Sequence, residues 1–184
     1  RAGRLAFRGG PGQQELTKPG GTRENPERKT FMPLIHPFKG LRPTPASAGR
    51  VAAPPYDVLN TEEARALASA NPFSFLHISK PEIDFPPGID PCAPEVYAKG
   101  ADNLAAMIKA GVLIRDAVAA YYVIRIELNG HWQTGIGAAA SIAAYNAGRI
   151  RKHELTKPDK EEDRANQIDG TGAQTGPVMP VHRQ

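Results

Sequence analysis

The chain has 184 residues, of which 40% are hydrophobic and 23% charged. This composition is typical of about one soluble domain, and no apolar run approaches the roughly 18 residues of a membrane span or resembles a secretory signal. We therefore expect a cytoplasmic protein that does not enter a membrane. The single cysteine, Cys92, excludes an internal disulfide and a cysteine metal cluster.

The positive net charge of +4 comes from the N-terminal segment. Residues 1–31 contain seven basic and three acidic residues, so residues 32–184 contain 16 of each sign. Because electrostatic binding of DNA needs Lys and Arg clustered on a folded face, this balance argues against nucleic acid as a partner. Residues 1–31 are rich in Gly and Pro and lack apolar periodicity, which predicts a disordered leader or a non-native extension.

A helix and a strand are predicted after residue 60. Asn60 and Glu63 have the spacing of a capping box, in which each side chain bonds the other residue's backbone N–H, so we expect a helix over residues 61–70. The apolar run 73–78, bounded by prolines, is compatible with a buried strand. Residues 80–93 are predicted to form a proline-rich loop.

A longer helix and a β-hairpin follow. Apolar residues repeat at i, i+4, i+7 and i+11 within residues 94–110, which predicts a helix that ends at Gly111. Two strand-like runs between residues 121 and 139 flank Asn129-Gly130, a preferred sequence for a type I′ turn. Alternate residues of this hairpin lie on opposite faces, and since both faces carry apolar residues we expect both to be covered.

These elements predict an α+β fold over residues 32–184. We expect one mixed sheet that contains the hairpin at 121–139, with the helices at 61–70 and 94–110 packed against it. The chain ends in a segment rich in Gly and Pro with no closing element, which suggests an incomplete domain.

The most polar stretch, residues 149–164, carries the candidate phosphate-binding residues. Pro158 suits the first position of a helix, and cations just before and within its first two turns lie in one stripe near the free N–H groups that attract phosphate. These candidate phosphate ligands are Lys157, Lys160 and Arg164.

Two residues just before that helix are candidates for catalysis. Glu154 is placed to accept a proton from a substrate hydroxyl as general base, and His153 beside it to orient the carboxylate. The alternative is a solvated, charged helix stabilised by i,i+4 pairs such as Lys157–Glu161, and spacing alone favours this alternative.

A rigid segment, Pro54-Pro55-Tyr56-Asp57, provides candidate substrate-binding residues. The double proline restricts the backbone and would hold Tyr56 and Asp57 at the mouth of a cleft, where Asp57 would orient a substrate amine or a metal. Such a segment is more often a rigid turn that places a tyrosine in the core. Residues 171–177 lack the order of a P-loop and are predicted to be a loop, and no set of residues has the spacing of a zinc site.

Six separated motifs occur in one order along residues 32–181. They are residues 37–43 (PFKGLRP), 54–58 (PPYDV), 71–76 (NPFSFL), 133–135 (QTG), 153–164 (HELTKPDKEEDR) and 173–178 (AQTGPV). This set resembles the bacterial domain-of-unknown-function family 1015, placed with the ParB/sulfiredoxin-like superfamily, which also includes free-serine kinases.

The resemblance implies a function, and it also implies that this chain lacks a downstream motif of the family. Family members are about twice this length and carry a downstream Asp-Gly-His-His-Arg motif, whereas here Asp169-Gly170 is followed by Thr171. The chain is therefore expected to be the N-terminal portion of a nucleotide-dependent kinase of a small hydroxylated metabolite such as serine, using ATP or ADP with Mg²⁺, and to turn over no nucleotide alone. The alternatives are a ParB-like, nucleotide-switched nucleic-acid-binding or regulatory protein, and an inactive fragment. The sequence does not determine the oligomeric state.

Overall fold

The computed structural model describes residues 33–151 and 155–177, which all belong to one compact unit, Pro33–Gln184. The strands are β1 (Ile35–His36), β2 (Leu41–Pro43), β3 (Leu113–Arg115), β4 (Tyr122–Leu128), β5 (His131–Gly137) and β6 (Ala139–Ala140). The helices are α1 (Ala48–Val51), α2 (Thr61–Ala68), α3 (Leu76–Ser79), α4 (Pro94–Lys109), α5 (Ile142–Asn146) and α6 (Pro158–Thr171). Two 3-10 turns cover Tyr56–Val58 and Pro81–Asp84. The predictions for residues 1–31 lie outside the described residues.

The strands form three separate two-stranded antiparallel sheets, which pair β1 with β6, β2 with β3, and β4 with β5. The predicted α+β class is confirmed, but the single mixed sheet is wrong. The physical reason lies in the short strands, each of which has only two or three residues. After β1 the backbone changes partner, since Phe38 pairs with Ala120 in an isolated antiparallel bridge, so these short pairings do not merge into one sheet.

The hairpin of β4 and β5 forms in the predicted register. Asn129 has φ 52° and Gly130 φ 78°, as a type I′ turn requires, and Leu128 lies opposite His131. The expectation that both faces are covered is wrong for the described residues, because Val123 is 78% exposed on one face and Leu128 71% on the other. The predicted packing of the helices on this hairpin is also wrong, since α4 packs mainly on α3 and α6 and α2 on the turn Pro81–Asp84.

Both predicted helices form, with ends close to those expected. In α2 the Asn60 side chain accepts from the Glu63 N–H at 2.9 Å and the Glu63 carboxylate accepts from the Asn60 N–H at 2.9 Å, so the capping box is confirmed. The α4 helix ends before Gly111, which has the predicted left-handed conformation with φ 67°.

The strand predicted at 73–78 is wrong. The segment forms a turn and then the single helical turn α3, because its backbone groups bond locally: Asn71 Oδ1 accepts from the Phe73 N–H, and the Phe75 carbonyl accepts from the Ser79 N–H. A short apolar run has no periodicity that separates a buried strand from a buried helical turn. Burial of Leu76 and Ile78 is compatible with a strand and with a helical turn.

The core has two clusters that α3 joins. Ile78 packs with Leu104, Met107 and neighbours on α1 and β3, whereas Leu76 packs with Ala64, Ala68 and Ile83. The α6 helix begins at the predicted Pro158 and lies against α4. None of the helices in the described part of the chain has the length and apolar character to cross a membrane.

Candidate functional site

The structure brings together two segments that the sequence analysis selected separately. The guanidinium of Arg164, on α6, lies over the ring of Tyr56 with 4.1 Å between its central carbon and the ring centroid. Tyr56 begins the 3-10 turn Tyr56–Val58, directly after Pro55, whose extended backbone directs the chain into that turn. The contact is a cation–π interaction, which holds the guanidinium over an aromatic face.

A second contact orients the same guanidinium. Asp163 Oδ2 accepts from Arg164 Nη2 at 2.8 Å and from Nε at 3.2 Å, and Asp163 Oδ1 accepts from the Tyr97 hydroxyl at 3.0 Å. Burial, followed by the contacts with Cys92 and Asp163, raises the pKa of Tyr97. The Tyr97 hydroxyl therefore stays protonated at neutral pH and acts as a donor to the carboxylate.

In this arrangement, Arg164 keeps N–H donors that can bind a further group. A guanidinium has five N–H donors, and Asp163 takes two of them. The Arg164 side chain is 29% exposed, and its other N–H groups have no partner among the residues that the structure covers. It is therefore a partly buried, oriented cation that can still bind an anion.

Lys160 lies on the same stripe of α6 as Arg164, one turn nearer the N-terminus. Gln167 continues this stripe and is buried, with its Nε2 donating to the Ile78 carbonyl at 2.7 Å. Because residues spaced by three or four share a helix face, the stripe faces the body of the protein at Gln167 and reaches solvent at Lys160. The Lys160 ammonium has no ion pair within 33–151 and 155–177.

The start of α6 is exposed, as the solvated alternative expects, but it lacks the ion pair predicted for that alternative. Lys157 is its N-cap residue and makes no side-chain cap bond, so the first N–H groups are not capped by that residue. Glu161 does not pair with Lys157 and instead accepts a hydrogen bond from the Thr156 hydroxyl. The i,i+4 pair predicted for a solvated helix is thus absent from the described contacts, and Lys157 stays exposed.

Of the remaining predicted site residues, only Asp57 lies in the described part of the chain. Asp57 is exposed beside Tyr56, and its carboxylate accepts no hydrogen bond within the described part of the chain. His153 and Glu154 lie outside the described residues, so their catalytic roles stay predictions. Tyr97 fits the apolar periodicity of α4, and no sequence pattern distinguishes a tyrosine whose hydroxyl orients a distant carboxylate.

A groove of about 550 Å³ opens between α4 and α6, beside the Tyr97–Asp163 contact. Its polar lining comes from Tyr97, Asp102, Asn166 and Asp169. Exposed Cys92 lies at its edge. No group of His, Cys, Asp and Glu within the described ranges is arranged to hold a metal ion.

Comparison with known proteins gives a family without a described activity. The model of the family described as "Protein of unknown function (DUF1015)" matches residues 35–184, which is most of the chain. No curated protein matches the chain. No solved structure matches it.

Proposed function

The chain belongs to this family of proteins of unknown function, and on that premise we propose that it contributes the phosphate-binding part of a cytoplasmic, nucleotide-dependent kinase. The proposed substrate is a small hydroxylated metabolite, with a free amino acid such as serine favoured by the resemblance to the superfamily that includes free-serine kinases. The observation that carries the proposal is the Arg164 guanidinium stacked on Tyr56 and oriented by Asp163.

Phosphoryl transfer makes few demands on a protein beyond positioning and charge. The transferred group carries negative charge on its equatorial oxygens, so the protein needs oriented cations and N–H donors more than a covalent group. Arg164 supplies a guanidinium that is already held in place, and a planar fork of N–H donors suits phosphate oxygens. Preorganisation of this kind reduces the conformational entropy that is lost on binding.

The first turn of α6 adds a second source of attraction. Lys160 places an exposed ammonium one turn from Arg164, and the N-terminus of a helix carries partial positive charge. Asp159 and Glu161 in the same turn already offset that partial charge. The side-chain cations therefore supply most of the attraction, and in this proposal Mg²⁺ enters with the phosphates of ATP or ADP.

The catalytic roles follow from sequence position. Glu154 is the proposed base that takes the proton of the substrate hydroxyl, and His153 the residue that orients it. Tyr56 and Asp57 are the proposed substrate contacts. Tyr56 would then form both the platform for Arg164 and one wall of the substrate site.

Nucleotide binding by the full-length protein, of which this chain is the expected N-terminal portion, tests the phosphate site. Charged hydrogen bonds contribute about 1.5–3 kcal/mol each, so Arg164→Ala should weaken binding of ATP or ADP with Mg²⁺ about ten- to a hundredfold, as measured by calorimetry. Arg164→Lys keeps the charge but loses the fork and the stack, and should fall between Ala and the parent. Lys109→Ala is the matched control, because it removes a cation at the far end of α4.

The outcome also separates this proposal from the alternative class. A ParB-like nucleic-acid-binding protein would bind duplex DNA in a salt-dependent way, and we expect no such binding. Nucleotide affinity that is the same in Arg164→Ala and Lys109→Ala would contradict the phosphate site and leave α6 as a solvated helix.

A separate assay tests the proposed base. The assay uses full-length protein that phosphorylates a hydroxy amino acid. In that protein, Glu154→Gln should lower turnover by roughly 10²–10⁴-fold with little change in nucleotide affinity, because only the proton acceptor is lost. His153→Asn should cost much less. Near-normal single-turnover rates in Glu154→Gln would mean that the base lies elsewhere, with Asp57 the next candidate.

A further inference from the structure

The outer edge of β4 is an exposed strand edge, with both apolar and charged residues, that the described residues do not cover. Isolated two-stranded hairpins are marginal in water, and an open edge without proline or lysine is a template for pairing with another strand. The β4 strand, with sequence YVIRIEL, carries neither residue. The hairpin therefore has the properties of a sheet that is completed by another chain.

The hairpin turn decides which backbone groups face outward. In a two-residue type I′ hairpin, the residues that flank the turn form a hydrogen-bonded pair, here Leu128 and His131. Since bonded and non-bonded positions alternate along an antiparallel pair, Ile126 also bonds to β5. Arg125 and Glu127 then direct their backbone N–H and C=O groups away from β5, toward the open edge.

The charges of β4 are self-complementary in one register. If two copies of β4 pair antiparallel about a two-fold axis at Ile126, Arg125 of each copy lies opposite Glu127 of the other. A register centred on Arg125 would place two arginines opposite each other, which is unfavourable. The register centred on Ile126 satisfies both the outward backbone groups and both charges.

The apolar residues agree with the same register. Ile124 lies opposite Leu128 of the second copy, and Ile126 opposite its own equivalent, on the face away from the charges. Ile126 is 55% exposed in the single chain, so this pairing covers side-chain surface that now faces water. Directly opposed β-branched and apolar pairs stabilise a sheet.

Both charged side chains keep capacity for the new contact. The Arg125 guanidinium lies 5.4 Å from the Trp132 ring centroid, on the face that Glu127 also shares. Glu127 uses Oε1 to accept from the Gly130 N–H at 2.7 Å, which leaves Oε2 for the arginine of the second copy.

We propose that two copies of this chain associate through the open edge of β4, about a two-fold axis at Ile126, to form a four-stranded antiparallel sheet. This isologous contact uses one patch twice, as two-fold dimers do. This surface is separate from the Tyr56–Arg164 contact, and the dimer does not rest on the proposed function.

A disulfide experiment on the full chain tests the axis directly. In a Cys92→Ser background, Ile126→Cys places two thiols at a non-bonded pair, where the Cα atoms are about 4.5 Å apart and a disulfide can form. We expect a cross-linked dimer on mild oxidation. Leu128→Cys is the matched control, since its equivalent in the second copy lies beyond disulfide reach. A dimer cross-linked through Thr134→Cys would assign the contact to β5 and overturn the proposal.

Charge reversal tests the register by sedimentation equilibrium. Arg125→Glu places two glutamates opposite each other on each side of the axis and should weaken the dimer about tenfold or more. The double variant Arg125→Glu/Glu127→Arg restores complementarity and should recover dimerisation, which a merely misfolded hairpin would not do. A parent chain that stays monomeric at millimolar concentration, or a dimer unaffected by Arg125→Glu, would overturn the proposal.

Discussion

Tyr122 links the hairpin to the segment around Gly40 through its hydroxyl group. Tyr122 Oη accepts from the Gly40 N–H at 2.6 Å and donates to Asp116 Oδ2 at 2.6 Å. Arg42 completes the cluster with bonds of 2.7 and 2.9 Å to the Asp116 carboxylate. Four residues from three segments therefore depend on one another, and each can be tested alone.

Gly40 is required by the close approach of Tyr122. A Cβ at residue 40 would lie 2.7 Å from Tyr122 Oη, so Gly40→Ala must displace the ring and break the hydrogen bond. We expect a loss of about 1–3 kcal/mol in the free energy of unfolding, measured by urea denaturation. Gly49→Ala in α1 is the control, because a Cβ there meets nothing within 4 Å. Equal effects of the two substitutions would contradict the role of Tyr122.

Asp116 should make the stability of the fold sensitive to acid. Hydrogen bonds from Arg42 and Tyr122 lower the pKa of Asp116 from its ordinary value of 3.8 to about 2. A lowered pKa in the folded state means that the stabilisation is fully present above pH 3.8 and is lost as the pH falls toward 2. Between pH 5 and 2, the free energy of unfolding should fall less in Asp116→Asn and in Arg42→Gln than in the parent protein. An unchanged pH profile in both variants would contradict this assignment.

At the scale of elements, local chemistry accounts for the ends of the helices and the hairpin turn. The capping box at Asn60, the left-handed Gly111 and the Asn129-Gly130 turn each involve residues within a few positions of one another. Their energies do not depend on distant contacts, and all three were predicted from the sequence. The segment 73–78 differs, because its strand and helical forms bury the same apolar residues.

The capping box provides a prediction at this scale. Asn60→Ala removes the acceptor for the Glu63 N–H and should destabilise the protein by about 0.5–2 kcal/mol, measured by thermal unfolding. Asn60→Ser retains a side-chain acceptor and should recover most of that loss. If Ala and Ser behave alike, the cap does not stabilise α2.

At the scale of the whole molecule, α6 connects segments that are distant in sequence. It lies against α4 through the close approach of Gly170 to Tyr97, where a Cβ would come within 3.3 Å of the Tyr97 side chain. Its buried Gln167 bonds the carbonyl of Ile78 on α3, and its Arg164 stacks on Tyr56. Packing of this one helix therefore decides which motifs become neighbours.

Residues 1–31 are predicted to be dispensable for the stability of the whole fold. Their composition contains no apolar run with helical or strand periodicity, so they have little surface to bury against the domain. Deletion of 1–31 should leave the melting temperature and the far-ultraviolet circular dichroism nearly unchanged. A fall of several degrees would show that the segment packs on the fold.

Sequence patterns were sufficient to predict the α+β class, α2, α4, the start of α6, and the hairpin register with its turn. Three features depend instead on packing between distant segments: the division of the strands into three small sheets, the exposure of both hairpin faces, and the position of Arg164 over Tyr56 with Asp163 held by Tyr97. Caps, turns and periodicity depend on interactions within a few residues, so a single sequence contains them. The pairing of short strands and the contacts between distant side chains depend on how α6 packs against α4 and on which apolar surfaces the other elements bury.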